Sequence, residues 1–532
     1  MRLIQLIINN MQSLFDRVNK RALLIALLSF ISALTLNELN QYHLKADGIS
    51  LRDNQTVITS DDISYLRPAI NLIEQGELKD NTPGAGSCLV RSPGYSLIIS
   101  TLIVFFGQKK MLLSLIWFQL LLFSFSVYLF YLIAEQLLTD KRIVAVVSIV
   151  FGVSGMASGF LFYTLTEGVT PALVISLCYL LIRAKNCNQR NLKFRYYLIT
   201  ALIFSFLFIT RPVLGIYAFP ILIYLLLDYR NSISRNWLKI SLLLTIMFGA
   251  MIILQIRNYI KTGQYTGLYP IYYPENSMTC FRPTHQAWWE FCKSWGMTGQ
   301  EFHSLIVPIW NKTISDENST KEVANLINAI PSYAKQFLGR ESIEQALVLY
   351  LESIRFQKEF YNKAIAMPKE IPEIEIKCIN AINALTHSFR EKFWFQFHII
   401  APIKVFKNLA FHSNLSLYIF QKTFRNNPFM EIYRWLCFLL HTAAFLLLFF
   451  GIFTHKSFDT KVLFTLTSLI YVFYLVYVQR GIEERYTLPI LGAVLLNLSF
   501  ITEEVLARIK QQKPFVPNFI GKLKKDAAKL IE

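Results

Sequence analysis

Charged side chains are scarce in this sequence of 532 residues. Asp, Glu, Lys and Arg together make up 17% of the chain, whereas hydrophobic residues make up 54%. Soluble domains usually carry about 25% charged residues, so this composition excludes an ordinary soluble protein. The first apolar run also lacks a small-residue cleavage site after it, and we therefore expect no cleaved signal peptide.

Sequence motifs of several enzyme classes are also missing. The chain contains no P-loop, no dinucleotide-binding glycine pattern, no His-rich zinc-protease motif and no CxxC pair. Its seven cysteines are scattered. Cys280 and Cys292 are the candidate disulfide pair, on proximity alone and only if their compartment is oxidising.

Long apolar runs dominate what is present. Several of them approach the roughly 20 residues that are needed to cross about 30 Å of hydrocarbon. The runs cover residues 22–36, 111–134, 143–163, 168–182, 196–210, 212–227, 238–256, 436–454, 462–479 and 487–502. We therefore predict an all-α polytopic membrane protein with about ten transmembrane helices.

The net charge of +18 fits a membrane protein better than a nucleic-acid-binding protein. Its basic residues concentrate in short loops and in the tail, as insertion topology and anionic lipids require. Residues 183–195 carry Lys and Arg with no acid, and the tail is rich in Lys. Placing both segments in the cytoplasm predicts that both chain termini are inside, and we expect no nucleic-acid partner.

One ambiguous segment decides the topology. The run from Tyr95 to Gly107 is short for a span, and treating it as an interfacial or re-entrant helix keeps Lys141 inside and Glu167 outside. The loops 37–110, 164–167 and 479–486 and the region 257–432 then share the outer face. Residues 1–16 are amphipathic, and either lie along the inner interface or pack against the first span.

These assignments divide the chain into four parts. They are an N-terminal transmembrane module at 1–256 that includes the first outer loop at 37–110, a large outer region at 257–432, C-terminal transmembrane helices at 433–502 and a basic cytoplasmic tail at 503–532. Within the outer region we predict helices at 318–330 and 340–366, a break near Pro368 and Pro372, and an amphipathic return to the bilayer at 394–420. A lid or an acceptor-contacting surface is the natural role of this region.

Two adjacent carboxylates, Asp61 and Asp62, lie in the first outer loop. Carboxylates beside a bilayer are costly unless water, a cation or a substrate meets them, so the pair marks a candidate site. A solvated loop that caps a helix is the structural alternative. Glu167 lies in a very short loop between two predicted spans and is the third candidate acid.

Six short motifs on the predicted outer face form an ordered series. They are Asp61-Asp62 followed by Tyr65 and Ala69, Arg91-Ser-Pro93-Gly94-Tyr95 followed by an apolar helix, Leu165-Thr-Glu167-Gly168, Thr210-Arg211-Pro212, Arg257-Asn258-Tyr259 with Gly263, and Glu484-Arg485-Tyr486 with Pro489. In this order they resemble the GT-C superfamily of integral-membrane glycosyltransferases. The similar branch includes bacterial aminoarabinose transferases and protein mannosyltransferases. The chain departs from that pattern at Asp62, where relatives often have Glu.

The resemblance implies a GT-C fold with interfacial helices in the first outer loop. It also implies transfer of a sugar from a polyprenyl-phosphate carrier to an acceptor hydroxyl by an inverting in-line displacement. A carboxylate within hydrogen-bond reach can accept the acceptor's proton, and we assign this role to Asp61. Asp62 is expected to orient Asp61, hold a cation or contact the sugar, and Glu167 is expected to be a further catalytic acid.

The departing phosphate needs its negative charge stabilised, and the planar guanidinium of Arg can grip phosphate oxygens with two hydrogen bonds. Arg91 and Arg485 are the leading phosphate contacts, with interfacial snorkelling as the alternative. The other substrate-binding candidates are Arg211, Arg257 and Arg282, together with Tyr65 and Tyr95, which are either sugar platforms or packing residues.

The expected partners are a polyprenyl-phosphate-linked sugar donor, a glycolipid, glycan or protein acceptor, and the lipid bilayer. The expected location is the bacterial inner membrane, with the active site facing the periplasm or exterior. Paired acids can hold Mg²⁺ or Mn²⁺ through oxygen ligands, although metal independence is favoured without a third neighbouring acid. A transporter or lipid flippase, or a polysaccharide polymerase or ligase of another membrane fold, are the alternatives. The Asp61-Asp62 loop directly after the first span favours glycosyl transfer over both.

Overall fold

Helices form nearly all of the regular structure in the computed structural model of this protein. The structure describes residues 19–46, 48, 52, 56–59, 61–79, 91–262, 282–362, 370–411, 427–454, 459–480 and 484–510. Within these residues the only β-type pairing is an isolated bridge between Val57 and Tyr163. The predictions for residues 1–16, for most of the tail and for the Cys280–Cys292 pair lie outside the described residues.

The described residues of the N-terminal part form ten helices. They are α1 (Lys20–Ala46), α2 (Ile63–Gln75), α3 (Gly94–Phe106), α4 (Met111–Leu137), α5 (Lys141–Val153), α6 (Gly155–Ser158), α7 (Thr170–Asn186), α8 (Arg190–Thr210), α9 (Ala218–Tyr229) and α10 (Ile233–Thr262). Short 3₁₀ turns precede α4, α7 and α9. As expected, the apolar run after Tyr95 forms a helix of only 13 residues, α3.

The middle of the chain forms a helical region with a core of its own. Its helices are α11 (Pro283–Cys292), α12 (Gly299–Ile314), α13 (Thr320–Ala329), α14 (Ser332–Leu338), α15 (Arg340–Asn362), α16 (Glu373–Lys392) and α17 (Ala401–Phe411). Buried Trp288, Phe291, Tyr350 and Phe389 belong to one apolar cluster, whereas buried Val405 of α17 belongs to the core formed with the N- and C-terminal helices. The helix predicted at 318–330 is confirmed as α13. The one predicted at 340–366 is confirmed as α15 as far as Asn362, and 363–366 lie outside the described residues. α16 begins directly after Pro372.

The chain closes with α18 (Pro428–Leu447), α19 (Thr460–Phe473) and α20 (Leu488–Lys510). Across the described residues, nine helical stretches are long and apolar enough to cross a membrane. The predicted span at 143–163 differs from these, because α5 ends at Val153 and the side chain of Ser154 caps the short α6. The break leaves a bent connection where the sequence predicts one continuous helix.

This bent connection nevertheless runs between opposite ends of the bundle. At one end, the carboxylate of Glu503 accepts hydrogen bonds from the backbone of Thr139 and Asp140 at 2.7 and 2.9 Å. At the other end, Glu167 contacts Arg211 and lies near Arg485. The residues that follow Asp140 must therefore cross the bundle before Glu167. Asp61, Glu167 and Arg485, which lie in three of the loops predicted to share a face, come together at the Glu167 end.

Candidate active site

Asp61 is held by two arginines that are distant from it in sequence. Its Oδ1 accepts a hydrogen bond from Arg91 Nη2 at 2.6 Å, and its Oδ2 accepts one from Arg485 Nη2 at 3.0 Å. Asp61 lies two residues before the start of α2, Arg91 three residues before α3, and Arg485 in a 3₁₀ turn before α20. Three helix starts thus converge on one carboxylate.

Small and hydroxyl side chains bring α2 and α3 into close contact. Ser96 Oγ donates to the carbonyl of Tyr65 at 2.9 Å, and Ser100 Oγ donates to the carbonyl of Ala69 at 3.2 Å. The rings of Tyr65 and Tyr95 pack edge to face at 5.2 Å between centroids. This packing sets the position of Asp61 relative to Arg91, because each precedes one of the two helices.

Gly94 anchors the start of α3 against the end of α8. A Cβ atom at this position would overlap both the side chain and the backbone of Thr210. Only glycine allows so close an approach, which explains the Pro-Gly-Tyr pattern physically. The contact brings the start of α3, with Arg91 just before it, close to Arg211, which directly follows α8.

Glu167 forms the second half of the charged cluster. Its Oε1 lies 2.6 Å from Arg211 Nη1 and 3.8 Å from Arg485 Nε. Its side chain is only 3% exposed, and the hydroxyl of Thr166 donates to its other carboxylate oxygen at 3.2 Å. Arg485 therefore stands between two acids, Asp61 and Glu167.

The ring of Tyr486 lies beside the guanidinium groups of Arg211 and Arg485. Its ring centroid lies 5.0 Å from the guanidinium carbon of Arg211 and 5.7 Å from that of Arg485. An aromatic face attracts a nearby cation through its quadrupole. The Tyr486 carbonyl in turn accepts a hydrogen bond from the Tyr471 hydroxyl at 2.9 Å, which fixes the turn that carries Arg485.

The two adjacent acids have different environments and opposite pKa shifts. Burial favours the neutral form of Asp61, but the charges and hydrogen bonds of Arg91 and Arg485 outweigh it and lower its pKa. Burial dominates at Asp62 and raises its pKa despite hydrogen bonding by Thr59 and the charge of Arg52. The Asp62 carboxylate lies 2.8 Å from Arg52 Nη2 and makes no capping hydrogen bond to α2.

Two of the predicted phosphate contacts lie away from this cluster. Arg282 is fully buried in the core of the helical region, where it pairs with Glu375. Arg257 donates to the carbonyl of Leu78 and to the side chain of Asn258. Both arginines have protein partners elsewhere, so the cluster comprises Arg91, Arg211 and Arg485.

The predicted tyrosine platforms are buried packing residues in this structure. Tyr95 is 0% exposed and Tyr65 is 7% exposed. The Tyr95 hydroxyl donates to Gln119 Oε1 at 2.8 Å, and Gln119 Nε2 donates to the carbonyl of Leu161 at 2.6 Å. These bonds hold the segment before Glu167 against α4.

Sequence reasoning missed several residues that shape the cluster. Gln119 carried a usable signal, since a polar side chain inside an apolar span needs a partner. Arg52 lies in the same loop as the acid pair, but nothing in its spacing marks it as the partner of Asp62. Tyr486 stands in the Glu-Arg-Tyr motif, yet its contact with Arg211 depends on how α8 and α20 are rotated.

The described residues do not assemble a divalent-cation site. No group of three or more His, Cys, Asp or Glu converges among them. Both oxygens of Asp61 face arginines, and Asp62 faces Arg52. The cluster is instead cationic, with Arg91, Arg211 and Arg485 set against Asp61 and Glu167. Such an excess of guanidinium groups suits an anionic oxygen ligand.

Comparison with known proteins places this cluster in a family context. Residues 90–254 match the family described as dolichyl-phosphate-mannose-protein mannosyltransferase. The matched segment contains Arg91, Gly94, Glu167 and Arg211, and the acid pair and Glu-Arg-Tyr motif flank it in the predicted order. Residues 90–254 are thus similar to a family of GT-C glycosyltransferases.

The chain also aligns with one solved structure. The crystal structure of ArnT from Cupriavidus metallidurans, bound to undecaprenyl phosphate, has a TM-score of 0.33 and 12% sequence identity with this chain. The alignment covers 91% of this chain and 77% of ArnT. No curated protein matches the sequence significantly.

Proposed function

We propose that this protein is a GT-C glycosyltransferase, which transfers a sugar from a polyprenyl-phosphate carrier to an acceptor hydroxyl at the outer face of a bacterial inner membrane. The observation that carries the proposal is the cluster in which Arg91 and Arg485 hold Asp61 while Arg211 holds Glu167. The matched family, by its description, uses dolichyl phosphate mannose. ArnT was solved with undecaprenyl phosphate. Both ligands are long-chain polyprenyl phosphates, which supports a donor of this class.

The arginines are the proposed phosphate site. The sugar donor is a phosphate diester, and its polyprenyl phosphate group leaves readily if the negative charge on the phosphate oxygens is stabilised. Each well-placed hydrogen-bond donor contributes a few kcal/mol to that stabilisation. Arg91 is the most accessible of the three, with 42% of its side chain exposed, and Arg485 is 17% exposed. A phosphate arriving at this end of the bundle competes with Asp61 for both.

Asp61 is the proposed general base. In the structure its carboxylate neutralises Arg91 and Arg485, and a phosphate that takes over these arginines removes the interactions that lower its pKa. The released carboxylate then accepts the proton of the acceptor hydroxyl while the hydroxyl oxygen bonds to the anomeric carbon. The bond from that carbon to the phosphate oxygen breaks, and polyprenyl phosphate departs as an anion.

Glu167 and Asp62 serve as positioning residues in this proposal. Glu167 is buried and keeps its ion pair with Arg211 and its proximity to Arg485, so it can hold Arg485 in place when phosphate displaces Asp61. Asp62 fixes Arg52 and the loop at Thr59. The helical region 283–411 is proposed to lie on the same outer side and to contact the acceptor.

Comparison of cells with and without this protein tests the function. Mass spectrometry of envelope glycolipids and glycoproteins should show a sugar modification that disappears when the gene is deleted and returns with the wild-type gene. Purified protein in lipid nanodiscs should also release polyprenyl phosphate from a polyprenyl-phosphate sugar when the acceptor is supplied in its unmodified form. An unchanged envelope together with no release of carrier would overturn the proposal.

A further inference from the structure

A buried arginine lies where the helical region 283–411 meets the membrane helices. α19 continues into a π-helical turn, Tyr474–Gln479, and Arg480 directly follows that turn. It is 0% exposed and its backbone is left-handed, with φ of 54°. A non-glycine residue there is sterically unfavourable, and such conformations persist where the surrounding structure enforces them. The position therefore calls for a specific role of the arginine side chain.

The guanidinium of Arg480 joins three separate backbone segments. Its Nε donates to the carbonyl of Tyr477 at 2.9 Å, its Nη1 to that of Lys293 at 3.2 Å and its Nη2 to that of Phe397 at 2.8 Å. Lys293 follows α11, and Phe397 belongs to a second π-helical turn, Gln396–Ile400. One side chain thus ties the helical region to the end of α19.

The same guanidinium is stacked on an aromatic ring. Its central carbon lies 4.0 Å from the ring centroid of Phe397, and Arg390 approaches that ring at 4.5 Å. Arg390 is paired with Glu290, whereas Arg480 forms no ion pair within the part of the chain that the structure describes. Burial lowers the pKa of Arg480 to about 10, so the residue is protonated at neutral pH.

Arg480 stands five positions before Arg485 in the same connection between α19 and α20. On the far side of Arg485, the Tyr486 carbonyl is held by the Tyr471 hydroxyl. Arg485 therefore lies between two described residues, Arg480 and Tyr486, that are each hydrogen-bonded to other parts of the protein. The helical region also has its own apolar core, which includes neither Arg480 nor Phe397 among its buried residues.

We propose that Arg480 is a positioning residue that sets the placement of Arg485 for phosphate recognition by anchoring its connection to the helical region. The proposal rests on the proposed function, because it assumes that Arg485 meets a lipid phosphate. It adds a residue outside the charged cluster, and it makes the helical region part of the support of that cluster.

Binding of a long-chain polyprenyl phosphate tests this role, with the uncharged polyprenol as the reference ligand. Full-length protein in nanodiscs is compared as wild type, Arg480→Lys, Arg480→Met and Arg390→Lys. Lys at position 480 retains the charge but cannot donate to three carbonyls in a fixed fork. Arg390→Lys is the matched control, since it makes the same change on another cation that contacts Phe397.

We expect Arg480→Lys to weaken phosphate binding by about tenfold, because the loss of one hydrogen bond between charged groups typically lowers affinity by about tenfold or more. Polyprenol binding and the melting temperature of Arg480→Lys should stay near wild type, and Arg390→Lys should bind phosphate normally. Arg480→Met should show a larger phosphate-specific loss. Wild-type phosphate affinity in Arg480→Lys, or equal loss for phosphate and polyprenol in both variants, would overturn the positioning role. If the wild type itself does not distinguish phosphate from polyprenol, the proposed function fails, and the role of Arg480 fails with it.

Discussion

Arg485 Nη2 donates to Asp61 Oδ2 at 3.0 Å across a separation of 424 residues. The same guanidinium lies 3.8 Å from Glu167 through its Nε. One arginine near the end of the chain thus links the first loop to the start of α7. Because a phosphate and a carboxylate compete for the same planar fork, this link couples donor binding to the state of Asp61.

Replacing Asp61 with Asn should abolish sugar transfer while leaving expression and membrane insertion intact. The amide cannot accept the acceptor's proton, and loss of a general base typically costs about 10²–10⁴-fold in rate. Turnover is measured with purified protein in nanodiscs. Asp316→Asn, an exposed acid in the helical region, is the matched control and should retain full turnover. Near-normal turnover by Asp61→Asn would remove Asp61 from the base role.

Arg485→Ala and Arg91→Ala should each lower transfer by at least about tenfold, equivalent to about 1.4 kcal/mol in the barrier. Each variant removes a cation that the proposal places on the departing phosphate. Lys at either position should recover only part of the rate, because a point charge cannot form two parallel hydrogen bonds. Steady-state kinetics with the sugar donor check this. Full activity in both Ala variants would shift the phosphate site to other cations, with Arg211 the next to test.

The pH dependence of kcat/KM should report the lowered pKa of Asp61, since this parameter follows groups of the free enzyme. With Arg91 and Arg485 present, the acid limb should lie below the ordinary Asp value of 3.8. Removing a cation disfavours the carboxylate, so Arg485→Ala should move that limb to higher pH. An acid limb at the same pH in both proteins would contradict the coupling.

Asp61 also links folding stability to pH with a defined sign. Its pKa is lower in the folded protein than its ordinary value. It therefore stabilises the folded state above that ordinary value, and this contribution is lost as the pH falls through the lowered folded pKa. Melting of wild type and Asp61→Asn should consequently converge on acidification. A constant difference down to the lowest accessible pH would argue against the shift.

Gly94→Ala should destabilise the protein and reduce transfer. Its new Cβ overlaps the backbone of Thr210, which no side-chain rotation relieves, and overpacking typically costs about 1–3 kcal/mol. Gly249→Ala is the control, because nothing lies within 4 Å of a Cβ at that helical position. Thermal melting in detergent should show a loss for Gly94→Ala and no loss for Gly249→Ala. Equal melting of the two variants would contradict the close approach of α3 to α8.

Cysteine labelling should establish which side of the membrane carries the site. In a cysteine-free background, an impermeant reagent added outside should label position 320, at the start of α13, and should miss position 188, between α7 and α8. Asn188 and Thr320 are both exposed in the structure, so access depends on the side of the membrane. Labelling at 188 without labelling at 320 would place the cluster on the cytoplasmic side.

The sequence by itself determined the class of architecture and the end of the bundle where the charged motifs gather. Runs of apolar residues can be satisfied in a bilayer only as helices whose backbone groups bond internally. The distribution of Lys and Arg then grouped the loops containing Asp61, Glu167 and Arg485, and these residues do meet at one end. The order of short motifs also indicated a resemblance to the GT-C superfamily, and residues 90–254 match a mannosyltransferase family.

Only the tertiary structure decided which charges meet. Both Arg282 and Arg485 were predicted from the sequence to bind substrate. In the structure Arg282 pairs with Glu375 in the core of the helical region, whereas Arg485 pairs with Asp61. Adjacent Asp61 and Asp62 diverge because one faces two arginines and the other faces Arg52 and Thr59. The sequence also did not predict the helix break after Val153 or the three carbonyl contacts of Arg480. Each depends on the rotation and depth of helices far apart in the chain, and local apolar periodicity fixes neither.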